Sequence, residues 1–395
     1  MGRGRLWLAA VTAAAMVFSL ACGQSSTGAT APIKIGMVDT FSGSLAGLGT
    51  DHLLGARIAV SQVNASGGVL GRQIQLVPQD DQATSQVALQ ALRNLNDQGV
   101  HLLVAGGTSS AVCLDETKLL AQLQELQISP GCAVNSLTET NLTPNFFRTS
   151  EKVNQTVAAT AGGVCKTFPN LNRVDTLELD VASAGSGIDL ATTIFAKCGA
   201  KVTNRVKVPS TATDFLPYLT NLNTHLAADS ADNSGLYMWV FGAPEINAVK
   251  QGVALGLFKK YKAIFSNVND IDVVANALGP SMPTVYATLY YYPTAWTNAL
   301  NDQFVKDYQA TNGRPPNSAN GTGFNAVMAY VAAIKKANTD DYTKVQKALE
   351  GLTFDTLQGH MTIDAKTHQG DVTEAIVIFS AQAPKVSTTV NPGQL

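Results

Sequence analysis

Gly106-Gly107-Thr108-Ser109-Ser110 has the residue types and spacing to hold an anion without a basic side chain. The run follows the apolar Leu102-Leu103-Val104-Ala105 and opens a helical pattern. Backbone N–H groups and hydroxyls at such a strand-to-helix turn make a cradle for negative charge. The competing use of a serine there is to cap the helix, its oxygen accepting from a first-turn amide. Other chemistries find no support. His52, His101, His225, His360 and His368 show no HExxH or other metal-ligand spacing. No GxSxG elbow occurs, and the cysteines lack CxxC spacing. Gly185-Ser186-Gly187 follows a strand and precedes a helix, as a dinucleotide fingerprint does. Leu190 stands where the third glycine belongs, however, and no clear acidic partner ends the next strand. The expectation is a non-enzyme with no cofactor and no metal.

The N-terminus sets the compartment. Arg3 and Arg5 precede an uncharged apolar run from Leu6 to Val17, and the segment closes Phe18-Ser19-Leu20-Ala21-Cys22. A positive start, a short apolar stretch and a small residue before the cut predict a signal peptide over residues 1–21. Its end resembles a bacterial lipobox, with Ser19 where Leu is commonest. Cys22 is then the lipid-modified first residue of the mature chain; an ordinary signal peptide cut near Ala21 is the other reading. Both export the protein, either anchored by lipid outside the cytoplasmic membrane or periplasmic. Residues 22–32 read as a flexible tether. Without Arg3 and Arg5, two of the 27 basic residues go while all 29 acidic ones stay, a formal charge of about −4. With no basic patch, nucleic acid is not an expected partner.

Four cysteines remain after Cys22, an even number in an oxidising space. Of three possible pairings, Cys113 with Cys132 is favoured, since each follows one of two consecutive strands that should lie side by side. Cys165 then pairs with Cys198, on helices flanking the strand Thr176–Leu179. Four free buried thiols are the alternative.

Those residues are positioned by an alternation of strand and helix along the whole body. Strands read at 33–38, 73–77 and 102–105, helices at 53–63, 83–95 and 110–127, and a short strand ends at Pro130. The cycle restarts at Val153 and runs to the strand Ala263–Phe265. Alternating elements argue for parallel sheets with crossover helices, and about 370 residues exceed one comfortable core. The expected α/β architecture is therefore two doubly wound lobes. Residues 33–148 plus 283–352 make the first, 149–282 plus 353–385 the second. The strand Thr284–Leu289 and the helices after it are assigned to complete the first lobe.

At residues 33–110 the chain resembles the Leu/Ile/Val-binding solute-binding proteins of ABC importers. Ile33-Lys34-Ile35-Gly36, Phe41-Ser42-Gly43 and the stretch Val63-Asn64-Ala65-Ser66-Gly67-Gly68-Val69-Leu70-Gly71-Arg72, leading to Asp80-Asp81, carry the resemblance. Gly99-Val100, Ile128-Ser129-Pro130 and Phe147-Arg148-Thr149 extend it. Looser matches follow at Gly185–Gly187, Pro244-Glu245 and Gly252–Leu257. The resemblance implies a type I periplasmic binding protein: two Rossmann-like lobes, a three-crossing hinge and a solute in the cleft. It implies a monomer that delivers a small solute to an ABC permease. A ligand-sensing module with the same fold is the alternative, and a secreted α/β enzyme a more distant one.

Residue by residue, the resemblance gives Ser110 the ligand carboxylate, with Ser109 able to share that role or cap the helix. The hydroxyl the family usually adds after the next strand falls on Ala133, with Asn135 or Ser136 as substitutes. The family's first-loop aromatic falls on Leu48, and its second-lobe tyrosine on Ala184. The acid that holds an ammonium group falls on Val268, within Asn267-Val268-Asn269-Asp270, which puts Asp270 two residues away. Burying an ammonium group without a carboxylate is costly. The expected solute is thus a small carboxylate or amide with an apolar or aromatic body, against Phe41, Trp239, Phe241, Tyr290, Tyr291, Tyr292 or Trp296. Arg148 is expected to steady the hinge, and Asp80-Asp81 to be structural.

Overall fold

Six of the seven residues of β1 (Ile33–Asp39) are buried, so both faces of this strand need cover. A parallel sheet with helices on each side supplies it. The computed structural model describes residues 31–228, 233–267 and 271–391; Cys22, and Asp270 with its neighbours Val268 and Asn269, lie outside them. After β1 come α1 (Ala46–Ala65), β2 (Ile74–Asp80), α2 (Ser85–Asp97), β3 (Leu102–Ala105), α3 (Ser110–Glu116), α4 (Leu120–Leu123), β4 (Leu126–Ser129) and β5 (Phe146–Arg148). The strands pair in the order β2-β1-β3-β4-β5, all parallel. Gly67, Gly68 and Gly71, between α1 and β2, take φ of 96°, 81° and 74°. A side chain with Cβ rarely adopts that conformation, which is why this turn is glycine-rich.

The next segment is α5 (Val153–Thr167), β6 (Arg173–Leu179), α6 (Ala182–Lys197), β7 (Lys201–Val208), α7 (Leu216–Ala228), β8 (Ser234–Trp239), α8 (Ala243–Ala254), β9 (Ala263–Ser266), α9 (Ile271–Leu278) and β10 (Val285–Leu289). Then come α10 (Ala299–Asn312), α11 (Ser318–Ala337), α12 (Tyr342–Leu349) and the hairpin β11 (Thr353–Thr356) and β12 (Gly359–Thr362). The chain ends in β13 (Glu374–Phe379) and β14 (Lys385–Val390). The second sheet has the order β14-β13-β10-β9-β8-β6-β7, with β13 antiparallel to both its neighbours, β10 and β14.

Each sheet has apolar cover on both faces. Ile35, Met37 and Val104 pack with Phe304, Phe324 and Tyr330, while Val38 and Leu103 pack with Leu92 and Leu120. In the second sheet Leu236 and Met238 meet Leu219 and Val249, and Tyr237 and Phe265 meet Ile188 and Phe195. The chain passes between the two sheets three times: from β5 to α5, from β10 to α10, and from β12 to β13.

Four expectations are corrected. Val285–Leu289, assigned to the first lobe, pairs with β9 in parallel and β13 in antiparallel in the second sheet. A β9-α9-β10 crossover keeps sequential strands adjacent, the usual outcome. The hairpin over residues 353–362, assigned to the second lobe, buries Phe354 and Met361 in the first lobe's core. The single helix over 110–127 is two short ones, ending at Gln124 in the left-handed region (φ 55°). β4 must begin at Leu126 to pair with Leu102 of β3. Finally, Gly185–Gly187 lies inside α6 rather than before it. A Cβ on Gly187 would sit 2.0 Å from the Trp239 ring, so its glycine serves packing.

Arg148 ends β5, where the first crossing starts, and is fully buried. Its Nε donates to Gln369 Oε1 (2.6 Å), Nη1 to the carbonyls of Cys132 (2.6 Å) and Val134 (2.9 Å), and Nη2 to Thr138 Oγ1 (2.6 Å). Burial pulls its pKa down to about 10, while the charges of Glu151 and Glu139 act the other way. The guanidinium stays charged at neutral pH and joins the first crossing to the third. Both cysteine pairs, Cys113–Cys132 and Cys165–Cys198, are bridged, with Cα atoms 6.4 and 6.0 Å apart.

Candidate functional site

The loops at the carboxyl ends of parallel strands from both sheets converge on a cleft of about 590 Å³. That is where open α/β sheets bind ligands, and the volume suits a small organic molecule. The first sheet contributes Ser42–Leu45 after β1, Gln82 and Ala83 after β2, Gly107–Ala111 after β3, and Gly131 and Ala133 after β4. The second contributes Leu179–Ser183, Ser210 and Thr211, Trp239 and Phe241, Asn267 and Tyr290.

Of the residues named from sequence, Ser109, Ser110, Ala133, Phe241, Asn267 and Tyr290 line this cleft. The two serines differ in their bonding. Ser109 is the cap, its Oγ accepting from Val112 N at 3.4 Å. Ser110 Oγ accepts from Val134 N at 3.3 Å, which leaves its hydroxyl proton to donate. Asn267 is 2% exposed; its Oδ1 accepts from Thr160 Oγ1, and its Nδ2 has no partner. That amide is a buried donor at the wall of the site. Tyr290 sits against buried Glu151. Burial pushes the Glu151 carboxyl well above the ordinary range, Glu374 adds to the rise, and Tyr290 and Arg148 oppose it.

Three of the named residues lie elsewhere. Phe41 packs on the first lobe's core; its neighbour Ser42 lines the cleft instead. Ala184 is fully buried in the core between α5 and α6, and Ser183 takes the cleft position. Asn135 does not replace the missing hydroxyl: its Nδ2 donates to Asn154 Oδ1 at 2.6 Å, tying the loop after β4 to α5. Among the aromatic candidates, Trp239, Phe241 and Tyr290 reach the cleft. Tyr291 is buried and stacked on Trp296, and Tyr292 is edge-on to Phe379.

Sequence reasoning missed one pair. His52 lines the cleft from α1, and its Nδ1 lies 2.8 Å from Asp39 Oδ2 at the end of β1. Both residues are buried. In sequence His52 is one polar position in an amphipathic helix, and nothing local links it to a residue thirteen places earlier. The Asp80-Asp81 pair is structural: Asp80 accepts from Phe41 N, and Asp81 accepts from Thr40 Oγ1 and Ala83 N.

A family model described as a periplasmic binding protein matches residues 32–383. Leu/Ile/Val-binding protein homolog 2 of Brucella abortus (strain 2308) is 26% identical over 343 residues, 85% of this chain and 87% of the relative. A solute-binding protein from R. palustris, solved in complex with benzoate, superimposes with a TM-score of 0.80 at 20% identity, covering 91% of this chain and 96% of that one. A leucine-binding protein from Thermotoga maritima gives 0.79 at 20% identity, covering 92% and 100%. At those identities the two structures speak for the fold alone.

Proposed function

The chain belongs to the periplasmic binding protein family, and from that premise we propose that it captures a small carboxylate or amide with an apolar or aromatic body. We infer that it is exported, anchored through Cys22, and hands its solute to an ABC permease.

The observation that carries this reading is the composition of the cleft. Trp239, Phe241 and Tyr290 give one side aromatic surface, while Ser110 and Asn267 each bring an unused donor. Among the described lining residues the acids reduce to Asp180, which lies 3.6 Å from Lys207. Among those described residues an α-amino group would find only a carboxylate that already faces a lysine, and burying it uncompensated is costly. The benzoate complex of the R. palustris neighbour is consistent with an aromatic acid.

Capture begins on the first lobe, where Ser110 donates to the solute. Bending at the three connections lets the second lobe close over it, and closure excludes water and strengthens each polar contact. Arg148 and Gln369 hold the first and third connections together while they bend. Thermal shifts of the mature, unlipidated protein against benzoate, 4-methyl-2-oxopentanoate, benzamide and leucine test the reading. A solute at 100 times its Kd adds about 2.7 kcal/mol of stability. Stabilisation by acids or benzamide, weakened about tenfold in affinity by Ser110→Ala, is expected. Tight leucine binding with weak acid binding would overturn it.

A further inference from the structure

We propose that His52, held by Asp39, is the group that selects a carboxylate in this cleft, and that it takes up a proton from solvent as the carboxylate binds. This rests on the reading of the cleft as a solute site and adds the charge and protonation of what enters it.

Asp39 accepts a hydrogen bond, so Nδ1 of His52 carries the proton in their 2.8 Å contact. A neutral His52 then has only a lone pair on Nε2, and an imidazolium has an N–H there. Nε2 has no partner among the described residues, and the ring lines the cleft although the residue is only 2% exposed. The pair is built in from several directions. Gly107 of the cradle crosses directly over it: a Cβ there would lie 2.1 Å from Asp39 Oδ2 and 2.4 Å from His52 Nδ1. Gly323 of α11 abuts the His52 carbonyl, where a Cβ would lie at 2.1 Å.

No Lys or Arg occurs among the described residues lining the cleft, and its titratable groups are His52, Asp180 and Tyr290. His52 is thus the group that can meet an anion with positive charge. The charges around it agree. Asp39 faces it from β1, with Asp81 and Glu116 buried behind. Burial first, and then Asp81 and Asp39, raise the Glu116 pKa to about 8, so that acid is neutral at pH 7. Asp51, the neighbour on α1, is turned to Arg314 and Asn317. An incoming carboxylate places the imidazole between two carboxylates, which favours its protonated form. A neutral ring would instead set a lone pair against the anion.

The test is calorimetric titration with benzoate, chosen for the aromatic wall, from pH 5.5 to 8.5 in two buffers of different ionisation enthalpy. The wild type is expected to take up protons on binding, with affinity falling by up to about tenfold per pH unit as pH rises across that range. His52→Gln should bind about ten- to a hundredfold more weakly at pH 6, without proton uptake and with a flat pH profile. Asp39→Asn should shift the wild-type profile to lower pH. Benzoate binding without proton exchange, or His52→Gln keeping the wild-type slope, overturns the proposal. Failure of benzoate and 4-methyl-2-oxopentanoate to bind also overturns it. The reading of the cleft as a solute site survives that failure if leucine or benzamide binds, and falls with it if neither does.

Discussion

Replacing Glu116 by Gln should stabilise the protein at neutral pH and do little in acid. Glu116 is fully buried on α3. Its Oε2 accepts from Gln127 Nε2 at 2.8 Å, and Oε1 has no partner. Burial, then the charge of Asp81, lift its pKa from 4.5 to about 8, with Gln127 opposing and Asp39 and Glu125 adding. The folded state binds this proton more tightly than the unfolded chain does. The stability contributed by that proton is complete below the unfolded value near 4.5 and is lost as pH rises through the folded value near 8. At pH 7 the folded state holds a proton that the unfolded chain has released across about 2.5 units. That difference corresponds to about 3 kcal/mol. Gln cannot ionise and still accepts from Gln127, so Glu116→Gln removes that loss. Near pH 5 it replaces one neutral group by another, within about 1 kcal/mol. Urea unfolding of both proteins at pH 5 and pH 7 reads the difference, and Tm should rise by roughly 4 °C at the higher pH. Equal destabilisation at both pH values would refute the reasoning, because it would mean that Glu116 is charged in the folded state or held by a bond that Gln breaks.

Gly187→Ala drives a methyl into the Trp239 ring; a loss of about 1–3 kcal/mol and altered tryptophan fluorescence are expected, and an unchanged spectrum would contradict the packing. Arg148→Lys forfeits most of the four bonds of a buried guanidinium. It should cost about 3 kcal/mol or more in denaturant unfolding and weaken solute binding; full stability would show the first and third crossings to be tied by something else. Reduction of Cys113–Cys132 and Cys165–Cys198, which close separations of 19 and 33 residues, should remove about 3 kcal/mol each. A melting curve with and without reductant checks this, and identical curves would show the bridges to be energetically idle.

Much of this protein is written locally. The alternation of strand and helix, both cysteine pairs and the glycine turn at residues 67–71 depend on neighbours in sequence or on adjacent elements, and the structure repeats them. The cradle serines are local too, because a strand followed by a helix leaves Ser109 and Ser110 little freedom. Pairing across the fold is another matter. An apolar strand such as Val285–Leu289 has the same pattern in either sheet, and only the second sheet offers it β9 and β13 as partners. A helical position reads as buried or exposed without saying what it meets, so Ala184 reads as a site residue and is core, while Ser183 beside it reaches the cleft. The sequence by itself pointed to the fold class and the strand-to-helix turn that carries Ser109 and Ser110, through short-range backbone preference and apolar period, and to the bridges through the adjacency of consecutive elements. The tertiary structure alone decided the lobe of β10, the Arg148–Gln369 tie and the His52–Asp39 pair, because each joins residues whose approach depends on how distant elements pack.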